Sequence, residues 1–278
     1  MVHIQHLDFA YPKKQLLFKE LSMDLEAGNI YGLLGQNGAG KTSLLKIIAG
    51  LLYPRHGYCK VLGYETQKRS PRMLSEVYFI PEEFQLPAIR IEEYVKINGA
   101  LYPRFDPHTF DELMNEFKLD PKEKLSKLSY GQKKKVLLSF GLATNSRLLI
   151  LDEPTNGLDI PSKSQFRRII ASSITEDRTF IISTHQVRDM ESLIDPIIVL
   201  EDGQIVFNRG MEEISRNLAF KVLKEHENDY EVLYSEDLMH GKASIIKNNG
   251  SNETQINMEL LFNGIIHKGT EINEALKK

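Results

Sequence analysis

A single cysteine, Cys59, is present, so no disulfide can form within the chain. It reads as a small apolar filler in a protein suited to a reducing compartment. Basic residues are not in excess either. The 35 Lys and Arg face 38 Asp and Glu, a formal net charge of -3 at pH 7. Nucleic-acid binders usually carry a basic surplus, so no nucleic-acid partner is expected. No stretch approaches the ~18–20 consecutive apolar residues of a membrane-spanning helix, so work at a membrane would need spans from another chain. The opening MVHIQHLDFAYPKK lacks a basic segment followed by an apolar run and is not expected to be a signal peptide. No internal repeat is visible. The only low-complexity segment is the polar turn NNGSNET, Asn248–Thr254.

What is there fits an α/β chain. At 278 residues it suits one large domain with a small appendage. Strands are expected at Val2–Phe9, Leu21–Leu25, Asn29–Leu34, Tyr58–Gly63 and Glu76–Pro81. RLLILDEP and TFIISTH are near-continuous apolar runs, the pattern of parallel strands covered on both faces. PIIVLEDGQIVF reads as a terminal hairpin turning at EDGQ. Residues 84–145 carry helical periodicity in IEEYVKINGALY, PHTFDELMNEFKL and GQKKKVLLSFGLAT. They read as a helical insert within a first unit of residues 1–215. The remainder, 216–278, is expected to be a small accessory region. Its strands would lie at YEVLYS and on both sides of the polar turn, followed by a helix in MELLFNGIIHKG.

The chemistry starts at Gly35-Gln36-Asn37-Gly38-Ala39-Gly40-Lys41-Thr42, which fits G-x-x-x-x-G-K-[ST] between a strand and a helix. Glycines let the backbone wrap a polyphosphate with N–H groups inward. The helix that starts near Lys41 adds its positive dipole end. Lys41 supplies a point charge for the β- and γ-phosphates, and the Thr42 hydroxyl can ligate Mg²⁺. Downstream, LLILDEP ends a buried strand on two acids. Asp152 is placed to orient Mg²⁺, and Glu153 to polarise an attacking water. His185 emerges after TFIIST at a strand's carboxyl end, where α/β sheets bind ligands, and is expected to sense the γ-phosphate and position the water.

LSYGQKKK, residues 128–135, holds no acid and no nucleophile with a base beside it. Ser129 is a good N-cap for a helix starting near Gly131, and that helix end is a second anion site. The three lysines read as a solvated face. A chain that already has one phosphate cradle needs the second only to grip a nucleotide from its other side.

In this order the motifs resemble those of the nucleotide-binding subunits of ATP-binding cassette (ABC) transporters, over residues 1–215. GQNGAGKT resembles the Walker A loop, LSYGQ the family signature, LLILDEP the Walker B strand, NGLD (Asn156–Asp159) the D-loop, and STH (Ser183–His185) the switch histidine. The resemblance implies a P-loop NTPase-type sheet core with an antiparallel β subdomain, the helical insert and the accessory region. It implies ATP and Mg²⁺ as cofactors, with Glu153 and His185 catalytic. It places Tyr11, Gly35, Asn37, Gly38, Gly40, Lys41, Thr42, Ser43, Ser129, Gly131, Gln132 and Asp159 among the nucleotide-binding residues, with Tyr11 stacked on adenine. Two such cassettes face head to tail, so a second subunit, identical or different, would offer Ser129 and Gly131 to this chain's ATP. A polytopic permease would hold the pair at the cytoplasmic face of the membrane, and the single cassette and short tail resemble exporters with separate chains. The competing readings are a soluble ABC ATPase without a membrane partner and a nucleotide-switched binding module without turnover.

Two positions depart from the family pattern. Tyr130 replaces a glycine, and would be strained if the position needed φ > 0. Glu82 stands where the family offers a glutamine to the metal, with Gln85 three residues on. Either Glu82 takes that role or it is a solvated loop acid. Phe84 and Leu86 beside it either meet a permease or pack into the insert.

Overall fold

A computed structural model describes residues 1–224, 230–248 and 254–277. The first strands are β1 (Val2–Phe9), β2 (Phe18–Leu25) and β3 (Ile30–Leu34); β2 starts earlier than the periodicity indicates. β1 buries Val2 and Ile4, then Leu7 and Phe9. This slip in alternation coincides with a register shift between Ile4 and Leu7, the mark of a bulge. Helix α1 (Lys41–Ile48) stops short of the expected LL because Ala49 closes it and Gly50 turns left-handed at φ 70. β4 (His56–Val61) and β5 (Tyr64–Glu65) complete an antiparallel sheet of order β2-β1-β4-β5.

After the short helix α2 (Pro71–Leu74) and strand β6 (Val77–Ile80) comes the insert. It consists of α3 (Ile91–Gly99), α4 (Pro107–Glu116) and α5 (Tyr130–Ala143). The chain then re-enters the core as β7 (Leu148–Asp152), crosses through α6 (Ile160–Ser172), and returns as β8 (Thr179–Thr184), β9 (Ile197–Glu201) and β10 (Gln204–Arg209). Among the described residues the central sheet runs β10-β9-β3-β8-β7-β6. It is parallel throughout except for the β9–β10 hairpin at its edge.

β7 and β8 are buried at every position, as their apolar runs require. Alternate residues serve different cores. Leu149 and Leu151 face the side shared with the insert. Leu148 and Ile150 face the side shared with α1 and the antiparallel sheet. Because the strands are parallel, their carboxyl ends gather at one edge, where the phosphate loop, Asp152 and His185 meet.

The C-terminal region comprises α7 (Met211–Asn217), β11 (Leu218–Leu223), β12 (Val232–Leu238), β13 (Gly241–Lys247) and α8 (Met258–Leu276). Its sheet has the order β11-β13-β12. Ile214, Leu218, Ile245, Met258 and Ile265 belong to the same buried cluster as the insert side of the central sheet. Three features differ from the sequence expectation. β11 lies where none is anticipated. No strand follows the polar turn, since residues 254–257 lead directly into α8. The helix also runs on to Leu276 through a non-helical Lys268. Most of the turn itself, residues 249–253, lies outside the described residues.

Candidate active site

β3 delivers the chain into the glycine loop. Gly40 caps α1 at φ 107, and a Cβ there would come within 2.8 Å of the Phe18 ring, so both conformation and space demand glycine. Lys41 opens α1 and is buried. Its Nζ donates to the carbonyls of Gly35 at 2.7 Å and Gln36 at 3.3 Å, and stands 4.0 Å from Glu153 Oε1. Burial lowers the Lys41 pKa, while Glu153, Asp152 and Glu82 oppose that shift. The ammonium is thus folded back on its own loop, balanced by three carboxylates that a polyphosphate would displace or join.

Thr42 Oγ1 donates to Asp152 Oδ2 at 2.7 Å, and Ser183 Oγ donates to Asp152 Oδ1 at 2.5 Å. The carboxylate is therefore held on both oxygens. No cluster of three or more His, Cys, Asp or Glu among the described residues could hold a metal. Thr42 and Asp152, with Glu82 on the same cleft, instead offer a few hard oxygens. That is a donor set suited to Mg²⁺, which takes one or two carboxylates and completes its shell with phosphate and water.

Glu153 sits at the end of β7 with φ 47, a left-handed conformation costing a non-glycine residue about 1–3 kcal/mol. Several bonds hold it there. Its N–H donates to Ser183 at 3.2 Å (carbonyl) and 3.1 Å (hydroxyl). Its carbonyl accepts from Lys134 Nζ at 2.7 Å. The turn throws the side chain into the cleft, 4% exposed. His185 Nδ1 lies 2.8 Å from Glu153 Oε1, whereas Oε2 is buried with no hydrogen-bond partner. Leaving such an atom unbonded costs about 1–3 kcal/mol, and a water presented to it would recover that cost.

The cleft encloses about 660 Å³, within the range of small-molecule sites. Tyr11, Glu82, Asp152 and Glu153 line it together with Asn37, Gly38 and the start of α1. Gly35 lies beneath, where a Cβ would meet the Leu200 carbonyl at 2.5 Å. The Tyr11 hydroxyl lies 2.9 Å from Ser43 Oγ, and its ring meets Phe9 edge-on at 5.1 Å. Lys14 and Gln15, not singled out from the sequence, line the same opening. Gln85 is exposed and is not part of the lining.

Ser129, Gly131, Gln132 and Asp159 do not line this cleft. Ser129 caps α5 in a reciprocal box: its hydroxyl accepts from Gln132 N at 3.2 Å, and Gln132 Oε1 accepts from Ser129 N at 2.9 Å. Asp159 caps α6, accepting from Ser162 N at 2.8 Å. Tyr130 is the first helical residue of α5 and has no positive φ, so the feared strain is absent. Its hydroxyl donates to the Glu82 carbonyl, and its ring stacks on Phe84 at 5.1 Å. Phe84 and Leu86 are half-buried against the insert-side core.

The solvated-lysine expectation is overturned at Lys134, which is 4% exposed. It donates to the carbonyls of Glu153 and Asn156 at 2.7 and 3.0 Å, and burial lowers its pKa to about 8 against the pull of Glu82, Glu153 and Asp152. The physical reason is helical phase. Lys134 falls one turn before the buried Leu137 and Leu138, so it points into the core rather than away from it. That spacing was available in the sequence. Asn156, which donates to Glu82 Oε1 at 2.9 Å, gave no comparable signal. Ser183 did, as the first polar residue after the apolar run Phe180–Ile182, buried though it carries a hydroxyl.

The family described as ABC transporter matches residues 18–156. The ABC transporter ATP-binding protein YtrB of Bacillus subtilis is 30% identical over 216 residues, covering 77% of this chain and 73% of that protein. The Nod factor export ATP-binding protein I of Burkholderia lata is 32% identical over 208 residues, covering 71% and 68% respectively. Among solved structures, a dimeric post-hydrolysis state of the ATP-binding cassette MJ0796 with ADP and Pi superposes with a TM-score of 0.66 at 20% identity. It covers 76% of this chain and 99% of that one, and supports the fold.

Proposed function

The chain belongs to the ABC transporter family and hydrolyses ATP, and we propose that it drives export through a separate polytopic permease, working as one half of a head-to-tail pair. The carrying observation is the separation of the two anion sites. The phosphate loop, Asp152 and Glu153 share one cleft, while Ser129 and Gly131 form a capped helix end outside it. A second cassette facing this one would bring its own Ser129 and Gly131 over the open side of the cleft. The 660 Å³ opening would then be closed to water. No helix among the described residues is long and apolar enough to cross a membrane, so the spans are assigned to the permease. Export is favoured by the similarity to the Nod factor export ATP-binding protein I of Burkholderia lata.

In this reading ATP lies with its phosphates along the Gly35–Thr42 loop. Lys41 leaves its loop carbonyls for the β- and γ-phosphates, and Tyr11 borders the base. Mg²⁺, held by Thr42, Asp152 and Glu82, would supply countercharge for the departing ADP. Glu153 Oε2 accepts the proton of a water as its oxygen bonds to the γ-phosphorus and the bond to the bridging oxygen breaks. His185, already against Oε1, keeps the carboxylate turned toward that water. Because each nucleotide is gripped by two chains, hydrolysis releases the pair and the permease takes up the motion.

Ser129→Arg is the test. It should abolish hydrolysis while the affinity of a single chain for ATP stays within about twofold, and Glu153→Gln with ATP should sediment as a dimer. Normal hydrolysis by Ser129→Arg would refute the composite site. Isolation from membranes should recover a polytopic partner, and its consistent absence would remove the permease from the reading.

A further inference from the structure

Lys134 is a costly residue for its place. A buried ammonium forfeits hydration that a Met or Leu of similar length would not. Packing alone therefore does not explain it, and its bonds point elsewhere. Both go to main-chain carbonyls of the loop after β7, at Glu153 and Asn156. Glu153 is held in a left-handed conformation, and its carboxylate has one oxygen on His185 and the other free. Asn156 in turn donates to Glu82 on the cleft wall. Lys134 also stands on α5, the helix whose first turn contains the Ser129 cap.

We propose that Lys134 is a positioning residue: it fixes the backbone turn that aims Glu153 at the attacking water, and so ties that base to the signature helix of its own subunit. This rests on the reading of Glu153 as base given above. In the pair, the N-terminal end of α5 contacts the partner's nucleotide. Lys134 then makes the orientation of one subunit's base sensitive to whether the other subunit's nucleotide is present. The Ser183 bonds to the Glu153 N–H and the loop's own backbone bonds do not involve Lys134, whereas the clamp on the Glu153 and Asn156 carbonyls is made by Lys134.

The experiment compares K134M and K134Q in the full chain, each alone and combined with E153Q, by steady-state and single-turnover hydrolysis of γ-labelled ATP. K134M should lower kcat at least tenfold with KM and melting temperature nearly unchanged. K134Q keeps a donor without the charge and should stay within about threefold of the parent. In the E153Q background, where no carboxylate base remains to be aimed, K134M should change the residual rate less than twofold. The proposal is overturned if K134M turns over at the parental rate, or if it costs the same tenfold in E153Q. It is also overturned if kcat, ATP affinity and melting temperature fall together without rescue by Gln. Should K134M not fold, K134Q with E153Q carries the same comparison, a tenfold loss by K134Q independent of Glu153 being decisive against it. Failure of the base assignment is seen separately, as a parental rate in E153Q alone.

Discussion

The Tyr130 hydroxyl donates to the Glu82 carbonyl across 48 residues, joining the first turn of the signature helix to the loop that follows β6. The ring stacks on Phe84 with planes 16° apart. Where the family pattern has a glycine, this chain therefore has a latch between the first turn of α5 and the loop that carries Glu82 and Phe84.

The latch carries a measurable stability. Tyr130→Phe removes one hydrogen bond, worth about 0.5–1.5 kcal/mol. Tyr130→Ala also removes the stack, worth about 0.5–1.5 kcal/mol more. Denaturant midpoints should fall in that order, Ala further than Phe. Equal stability of Tyr130→Ala and the parent would show that the ring merely rests on the surface.

Phe140 organises the insert. It is fully buried, and its ring lies 5.2–6.0 Å from those of Phe105, Tyr94, Tyr78 and Tyr102. Phe140→Ala should cost about 3–5 kcal/mol, since four rings cannot all move into the space. Burial pushes the Tyr102 phenol up to about 12, so opening the cluster should also bring that phenol back toward 10.0 in an ultraviolet titration. A Phe140→Ala protein that unfolds with the parent would contradict the packing described.

Much of this was legible in the sequence because its causes are local. The glycine loop specifies its own backbone, Ser129 caps the helix it begins, and the apolar runs of β7 and β8 announce burial on both faces. What escaped has distant or diluted causes. α6 presents only Phe166, Ile169 and Ile170 as buried apolar residues, too sparse a stripe to stand out. β11 follows α7 with no glycine or proline between them to mark the change. Tyr130 and Lys134 acquire their meaning from carbonyls 48 and 19 residues away, which no local pattern encodes. The solvated face proposed for the lysines fails at the one whose phase matches the buried leucines.

Cys59 is 2% exposed, and burial raises its thiol from 9.0 to about 12. At pH 8 the folded protein then holds thiolate on the order of one part in ten thousand, and the thiolate is the reactive form. A disulfide reagent should modify Cys59 only as fast as the chain unfolds. The folded state keeps the proton longer than the unfolded one, so this contribution is complete below pH 9 and is lost as pH climbs toward about 12. Rapid labelling of the native protein at pH 8 would place Cys59 outside the core.

Glu82 adds a negative charge to a cleft built for a polyphosphate, beside Asp152 and Glu153. The carboxylate is engaged on one side only, accepting from Asn156 Nδ2. Glutamine can keep that acceptor and shed the charge. A carboxylate near the γ-phosphate repels ATP without a metal and attracts the metal when it is present, so Glu82→Gln should act in opposite directions on the two. ATP without Mg²⁺ should bind at least about fivefold tighter, the ~1 kcal/mol that one like-charge pair about 4 Å apart costs even at the dielectric of bulk water. Mg²⁺ should be needed at higher concentration for half-maximal hydrolysis, since a charged ligand is gone. Binding in chelator and hydrolysis across a Mg²⁺ series measure the two effects separately. If neither moves, Glu82 serves only to hold Asn156, and the metal is ligated by Thr42 and Asp152 without it.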